Sequence, residues 1–407
     1  MKSSIVIGAG MVGLSTAWHL QEHGVEVTVI DQGGVAAGSS WGNAGWLTPG
    51  MTMPLADTSV WTYGPGSLVN PNAPLHVPFR PDPKLWEFFA RFVSHGTQKA
   101  WDRTMSALTP IDRVALDAFD ELTGNGVDAW TREGPFVVGF EKEKQVGGFI
   151  EELKHVAAHG QEVPLERLSD PRSLVPQLSD SLEAVYRLDG QRFIEPGPFV
   201  RALGDAVRER GATFAFGLPV TSVEVAGKPT VTTAHGQRYT ADSVVIATGA
   251  WLPRLARRFG VRTLVEAGRG YSFTVASEPP IEYPVYFPSR RIACTPYQGR
   301  FRIAGTMEFR GPDEPLQAGR IDSIIRTSRG LFTGLDLDAR ENEWVGSRPV
   351  TPDGLPLIGA TNTPGVFVAG GHGMWGIVLG PATGRFLAEQ MLTGRVAPEI
   401  VPFNPLR

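Results

Sequence analysis

Ser4-Ile5-Val6-Ile7-Gly8-Ala9-Gly10-Met11-Val12-Gly13 reads as a strand that turns on glycines into a helix. A second strand, Val25-Glu26-Val27-Thr28-Val29-Ile30, follows and ends at Asp31, about twenty residues beyond the glycines. Gly8 permits the tight turn, Gly10 lets a pyrophosphate approach the backbone, and Gly13 lets the helix pack close to the sheet. The helix N-terminus offers free N–H groups and a positive dipole end to phosphates. Asp31 stands where a carboxylate would accept hydrogen bonds from a ribose. The glycines alone would suit a surface turn. Framed by strand, helix, strand and acid, they specify a site for an adenine dinucleotide on a Rossmann-like α/β fold.

Composition sets the outer limits. The chain has 407 residues, which suggests two domains or more, and a net charge of −4 with no basic tract. Nucleic acid is therefore not expected as a partner. Cys294 is the only cysteine, which excludes an internal disulfide and any Cys-based zinc or iron–sulfur site. No metal is expected, and Cys294 reads as a small buried residue. No apolar run reaches the length of a membrane span, and no cleavable secretory segment precedes the first strand. The expectation is a soluble cytoplasmic protein.

Between these limits the chain reads as mixed α/β material. A helix is expected from Met11 to His23, ended by Gly24. Residues 33–83 are rich in Gly, Pro, Ser and Asn without periodicity, and so long an irregular stretch points to function. Helical patterns follow at Lys84–Phe92, Ile111–Leu122, Glu141–His159 and Glu195–Arg210. Strand patterns lie at Phe136–Phe140, Ser243–Gly249, Tyr271–Ala276, Ile292–Thr295 and Phe301–Gly305. The chain then returns to a buried strand at Val366–Gly371 and a last helix at Leu379–Leu392. This order predicts two intertwined units. Residues 1–50, 160–261 and 345–395 form a discontinuous nucleotide-binding domain. Residues 51–159 and 262–344 form an antiparallel-sheet substrate domain, so the fold is α/β locally and α+β overall.

Residues 346–384 bear on which dinucleotide is bound. They contain Gly346-Ser347-Arg348-Pro349-Val350-Thr351-Pro352-Asp353-Gly354, then Gly370-Gly371-His372-Gly373-Met374-Trp375-Gly376, with Pro381 opening the last helix. A strand, a glycine-rich turn and a helix make a second positive terminus, which would stabilise the negative charge of a reduced flavin. An ordinary crossover with closely packed glycines fits these residues equally.

Taken with Ser39-Ser40-Trp41-Gly42-Asn43-Ala44-Gly45, Ala247-Thr248-Gly249, Arg269-Gly270-Tyr271 and Gly305-Thr306-Met307-Glu308, these motifs resemble the FAD-dependent D-amino acid oxidase superfamily. The match is strongest to its bacterial D-amino acid dehydrogenase branch. The resemblance implies non-covalent FAD, since the cysteine that tethers flavin in some relatives is replaced near Ser347 and Arg348. It implies that Gly8, Gly10, Met11, Val12, Gly13, Asp31 and Gln32 hold the ADP half. Ser39, Ser40, Asn43, Ala44 and Gly45 would run past the pyrophosphate and isoalloxazine. Val220 would face the adenine, Thr248 and Gly249 would adjoin the cofactor, and Gly371, His372, Gly373, Met374, Trp375 and Gly376 would follow the flavin's pyrimidine edge.

Arg348 is the expected substrate ligand, because a planar guanidinium grips a carboxylate with two parallel hydrogen bonds. A salt bridge is the competing reading. Tyr271 would donate to the same carboxylate or wall the pocket, or else be a core tyrosine. His372 would contact flavin, or else make a structural hydrogen bond. Arg290 and Arg291 would recognise an acidic side chain or simply be solvated, and Glu308 is expected to be structural. The implied reaction is oxidative deamination of an α-amino acid, of D configuration by resemblance, to an imino acid and then a 2-oxo acid and ammonia. The alternative is oxidation of a secondary amine such as proline, hydroxyproline or sarcosine. A quinone or another acceptor would take the electrons. Leu85, Trp86, Phe88, Phe89, Phe92 and Val93 would touch lipid at the inner face of a membrane, or else be core.

Overall fold

In the computed structural model two sheets divide the chain, and their layers interleave in sequence. The structure describes residues 1–70 and 72–407, with the side chains of Thr62, Tyr63, Pro65 and Val69 left aside. A six-stranded sheet runs in the order Thr213–Ala215, Glu26–Ile30, Ser3–Ile7, Ser243–Ile246, Val366–Gly370 and Leu357–Ala360. The first five strands are parallel and the last antiparallel. Their near-continuous runs of Ile and Val fit burial on both faces, as in a parallel sheet covered by helices.

The covering helices are Met11–Glu22, Pro196–Glu209 and Gly380–Thr393. Small residues bring them close. A Cβ at Gly384 would stand 2.5 Å from the Ser15 carbonyl carbon, and one at Gly380 would stand 2.5 Å from Met11 Cγ. Met11–Glu22 and Gly380–Thr393 therefore pack backbone to backbone at their first turns. Leu14, Leu203 and Leu387 are fully buried between the layers, each contributing about 1.5–3 kcal/mol of transfer free energy.

A nine-stranded sheet forms the second layer. Its main path is Glu341–Val350, Glu266–Val275, Arg300–Phe309, Ile292–Tyr297, Val285–Phe287, Phe136–Phe140, Ala184–Leu188 and Leu165–Arg167, with Leu75–His76 against Arg300–Phe309. Residues 165–188 thus belong to this sheet and not to the parallel one, and Glu341–Val350 runs across residue 345. Val220–Ala226, Lys228–Thr233 and Arg238–Thr240 form a separate three-stranded meander.

Several helices differ from the sequence expectation. The pattern at 111–122 is split between Gln98–Asp112 and Ala115–Gly124. Pro110 obscured the first of these, yet Leu108, Ile111, Ala115, Phe119 and Leu122 form one buried stripe across both. Residues 33–83 are not wholly irregular, since Val60–Val69 is helical despite its glycines. The helix Pro83–Ser94 buries Leu85, Phe88 and Phe92 against Met307, Phe309 and Val350. Half of the apolar set read as lipid-facing is therefore core. No helix among the described residues is long and apolar enough to cross a membrane.

Candidate active site

A cavity opens between the two layers, and its floor is the Gly8–Gly13 turn. Gly8 sits at φ 119°, and a Cβ there would stand 2.3 Å from the Ala247 carbonyl oxygen. A Cβ at Gly13 would stand 2.0 Å from the Gly8 carbonyl oxygen, so only glycine closes this turn. Gly10 is different, because its missing Cβ leaves space in the cavity itself, 3.2 Å from Ser40 Oγ. The helix that follows has no side-chain cap from Gly10. Met11 N–H donates to Ser40 Oγ at 3.2 Å, while the N–H groups of Val12 and Gly13 have no acceptor among the described residues. This is a cradle for phosphate oxygens.

Asp31 closes the turn from the side. Its carboxylate accepts from Ala9 N–H at 2.8 Å, Gly33 N–H at 2.7 Å and Gly34 N–H at 2.9 Å. The three bonds fix its orientation at the cavity wall beside Gln32. Leu218, Pro219, Val220, Thr248 and Gly249 continue the wall. Trp251 and Arg254 complete it, and both bond Asp313, the first at 2.7 Å. Neither Trp251 nor Arg254 carried a periodic signal in the sequence; only their nearness to Gly249 could have found them. The free space, open mouth included, is about 1490 Å³. The enclosed cavity itself is about 320 Å³, at the lower end of the roughly 300–1,000 Å³ of small-molecule pockets, and it runs from the Gly8–Gly13 turn to Arg348.

At the far end lie Arg348, Pro349, His372, Gly373, Met374 and Gly376. Gly373 N–H donates to the Pro349 carbonyl at 2.8 Å, which ties the glycine-rich turn to the Arg348 strand. Arg348 is half-buried and has no hydrogen bond or ion pair among the described residues. Burial lowers its pKa to about 10, so it is a cation at neutral pH without a counter-ion. The competing salt-bridge reading therefore has no partner to supply it.

His372 is 2% exposed, and its imidazole Nε2 meets Thr383 Oγ1 at 3.0 Å. Burial pushes its pKa down to about 3, which keeps it neutral and makes it a poor base. Tyr271 does not line the cavity. Alternation along Glu266–Val275 puts Gly270 and Ser272 on the cavity side and Tyr271 on the other. There Tyr271 packs with Phe273 and Ile324 and donates to Glu308 Oε2 at 2.7 Å. Glu308, also paired with Arg310 at 2.9 Å, is structural. Arg290 pairs with Glu141 at 2.6 Å on the surface, where Arg291 is also exposed.

Four other expected residues stand one step behind the wall. Gly45 packs on the Ile194 carbonyl, Ala44 accepts a hydrogen bond from Thr295, Gly371 adjoins Thr351, and Trp375 Nε1–H donates to the Met53 carbonyl at 2.9 Å. The last contact ties Met53 to the glycine-rich turn beside Met374. Cys294 is fully buried in the large sheet, away from the cavity.

Comparison with known proteins shows the family and the fold. The family described as FAD dependent oxidoreductase matches residues 4–390. A D-amino acid dehydrogenase of Methylobacterium sp. (strain 4-46) is 32% identical, over 97% of this chain and 96% of the relative. One of Xanthobacter autotrophicus is also 32% identical over the same shares. Among solved structures, glycine oxidase from Geobacillus kaustophilus superposes with a TM-score of 0.74 at 22% identity, covering 100% of this chain and 98% of the other. An iminodiacetate oxidase from Chelativorans sp. gives 0.73 at 19% identity, with 99% of each chain covered.

Proposed function

Since the chain belongs to the FAD dependent oxidoreductase family, we propose that it oxidises a D-amino acid, with Arg348 holding the substrate carboxylate. The observation that carries this reading is the unpaired guanidinium at the cavity wall. A cation held in a half-buried site without a counter-ion is a site for an anion, and its planar fork suits a carboxylate. The D-amino acid dehydrogenase relatives support the substrate class.

The six-stranded layer carries the cofactor and the nine-stranded layer the substrate. The Gly8–Gly13 turn and Asp31 would hold the ADP half of FAD, Ser39, Ser40 and Asn43 the middle, and the turn at 372–376 the far end. FAD supplies a two-electron oxidant that accepts hydride from the substrate Cα. Arg348 fixes the carboxylate and so limits the positions Cα can take. His372, neutral and bonded to Thr383, shapes the turn without taking a proton. The imino acid product then reacts with water to give a 2-oxo acid and ammonia. Electrons pass on to a quinone or similar acceptor. Exposed Phe79, in ring contact with half-buried Trp86, marks the surface where a peripheral membrane contact would form.

The test is anaerobic bleaching of the purified protein near 450 nm, a typical flavin band, by paired D- and L-amino acids, proline, hydroxyproline and sarcosine. Bleaching by primary D-amino acids is expected. Bleaching only by the secondary amines would overturn the substrate class, and a yellow protein that none of them bleaches would overturn the amine reaction.

A further inference from the structure

The loop Trp41–Ala44 meets the cavity at Asn43, and every one of its carbonyls is held by the large sheet. Arg302 Nη1–H donates to the Trp41 and Asn43 carbonyls, each at 3.2 Å. Ser272 Oγ–H donates to the Gly42 carbonyl at 3.0 Å, and Thr295 Oγ1–H to the Ala44 carbonyl at 2.6 Å. These donors come from three adjacent strands and point the same way.

The consequence follows from peptide geometry. In a planar trans peptide the carbonyl and the next N–H point in opposite directions. Drawing the carbonyls of 41, 42 and 43 into the sheet turns the N–H groups of Gly42, Asn43 and Ala44 away from it. None of the three has an acceptor among the described residues, and Asn43 lines the cavity. Consecutive free N–H groups on a curved loop make a concave site for an electron-rich ligand.

Arg302 is an unusual choice for this position. It is 2% exposed, its Nε has no partner, and its Cζ stacks 3.5 Å from the centre of the Tyr297 ring. An apolar side chain would fill the same space without a buried charge. What arginine adds is one group that reaches two carbonyls of the same loop.

We propose that Arg302, aided by Ser272 and Thr295, is a positioning residue that turns the Gly42–Ala44 N–H groups toward acceptor atoms of bound FAD. The proposal rests on FAD occupying the cavity and not on the choice of amino acid.

The experiment is reconstitution of FAD-free protein with FAD, followed by fluorescence, in wild type, Arg302→Met and Arg302→Lys. The visible flavin spectrum of each reconstituted protein is recorded. Arg302→Met is expected to weaken FAD binding about tenfold or more and to shift the spectrum, with partial recovery in Arg302→Lys. A folded Arg302→Met protein with wild-type affinity and spectrum would overturn the proposal. If Arg302→Met does not fold, Ser272→Ala combined with Thr295→Val removes two donors without removing the charge. That pair should show the same changes, smaller in size, and a folded pair with neither change overturns the proposal equally. Failure of the wild type to take up FAD would instead contradict the cofactor itself.

Discussion

The Arg348 guanidinium lies face-on against the backbone of Gly270: a Cβ at residue 270 would stand 2.2 Å from Arg348 Cζ. Gly270 pairs with Gly346, and Arg348 reaches it diagonally from the neighbouring strand. Gly270 thus clears the face on which the cation rests, while the space beside Gly346 is filled by the Trp344 ring. Gly270→Ala should push the guanidinium aside while leaving the cofactor turn intact. The expected result is a rise of about tenfold or more in the Kd for substrate, with FAD affinity unchanged. Titrating the flavin absorbance of both proteins under anaerobic conditions checks it.

Arg348 also sets a pH limit. Its burial lowers the folded-state pKa to about 10, and only the protonated form binds a carboxylate. The sign follows directly: kcat/KM should fall as pH rises through about 10. Below that pH it should climb as the substrate amine loses its proton, because only the neutral amine can release hydride from Cα. His372, with a pKa near 3, should add no limb between about pH 5 and 9. A rate profile of His372→Asn that loses an inflection near neutrality would contradict its assignment as a structural residue.

Asp112 offers a test of burial energetics away from the chemistry. It is 1% exposed, its Oδ2 accepts from Gln161 at 3.2 Å, and its Oδ1 has no partner. Desolvation raises its folded-state pKa well above the usual carboxylate value. Between the unfolded and folded pKa values the unfolded chain releases a proton that the folded chain keeps. Stability contributed by this group is therefore lost as pH rises. Asp112→Asn mimics the protonated form and lacks this loss. Its Tm relative to wild type should be higher at pH 7 than at pH 4.5, and thermal unfolding at the two values checks the difference.

The sequence made the cofactor end legible because its constraints are local. A Cβ at Gly13 would meet the Gly8 carbonyl within the same turn, so that part of the glycine spacing reports the turn without tertiary knowledge, whereas the clash at Gly8 is with Ala247 on a distant strand. Arg348 was legible from its motif. Tyr271 was not placed, since its side of the strand depends on pairing with Arg300–Phe309 and Glu341–Val350. Arg302 gave no signal at all. Its role exists only because three strands far apart in sequence align their donors on one loop. The helix Val60–Val69 was hidden by its glycines, and its contact with His76, whose Nδ1 meets the Ser67 carbonyl at 3.0 Å, exists only once the strand Leu75–His76 is in place.

The most direct test of the account is the reductive half-reaction of Arg348→Ala. The variant should fold, bind FAD as wild type does and remain yellow. Its Kd for a D-amino acid that bleaches wild type should rise about thirtyfold to several thousandfold, equivalent to about 2–5 kcal/mol. A folded, yellow Arg348→Ala protein that the same amino acid reduces with wild-type affinity and rate would contradict the carboxylate role and with it the proposed function.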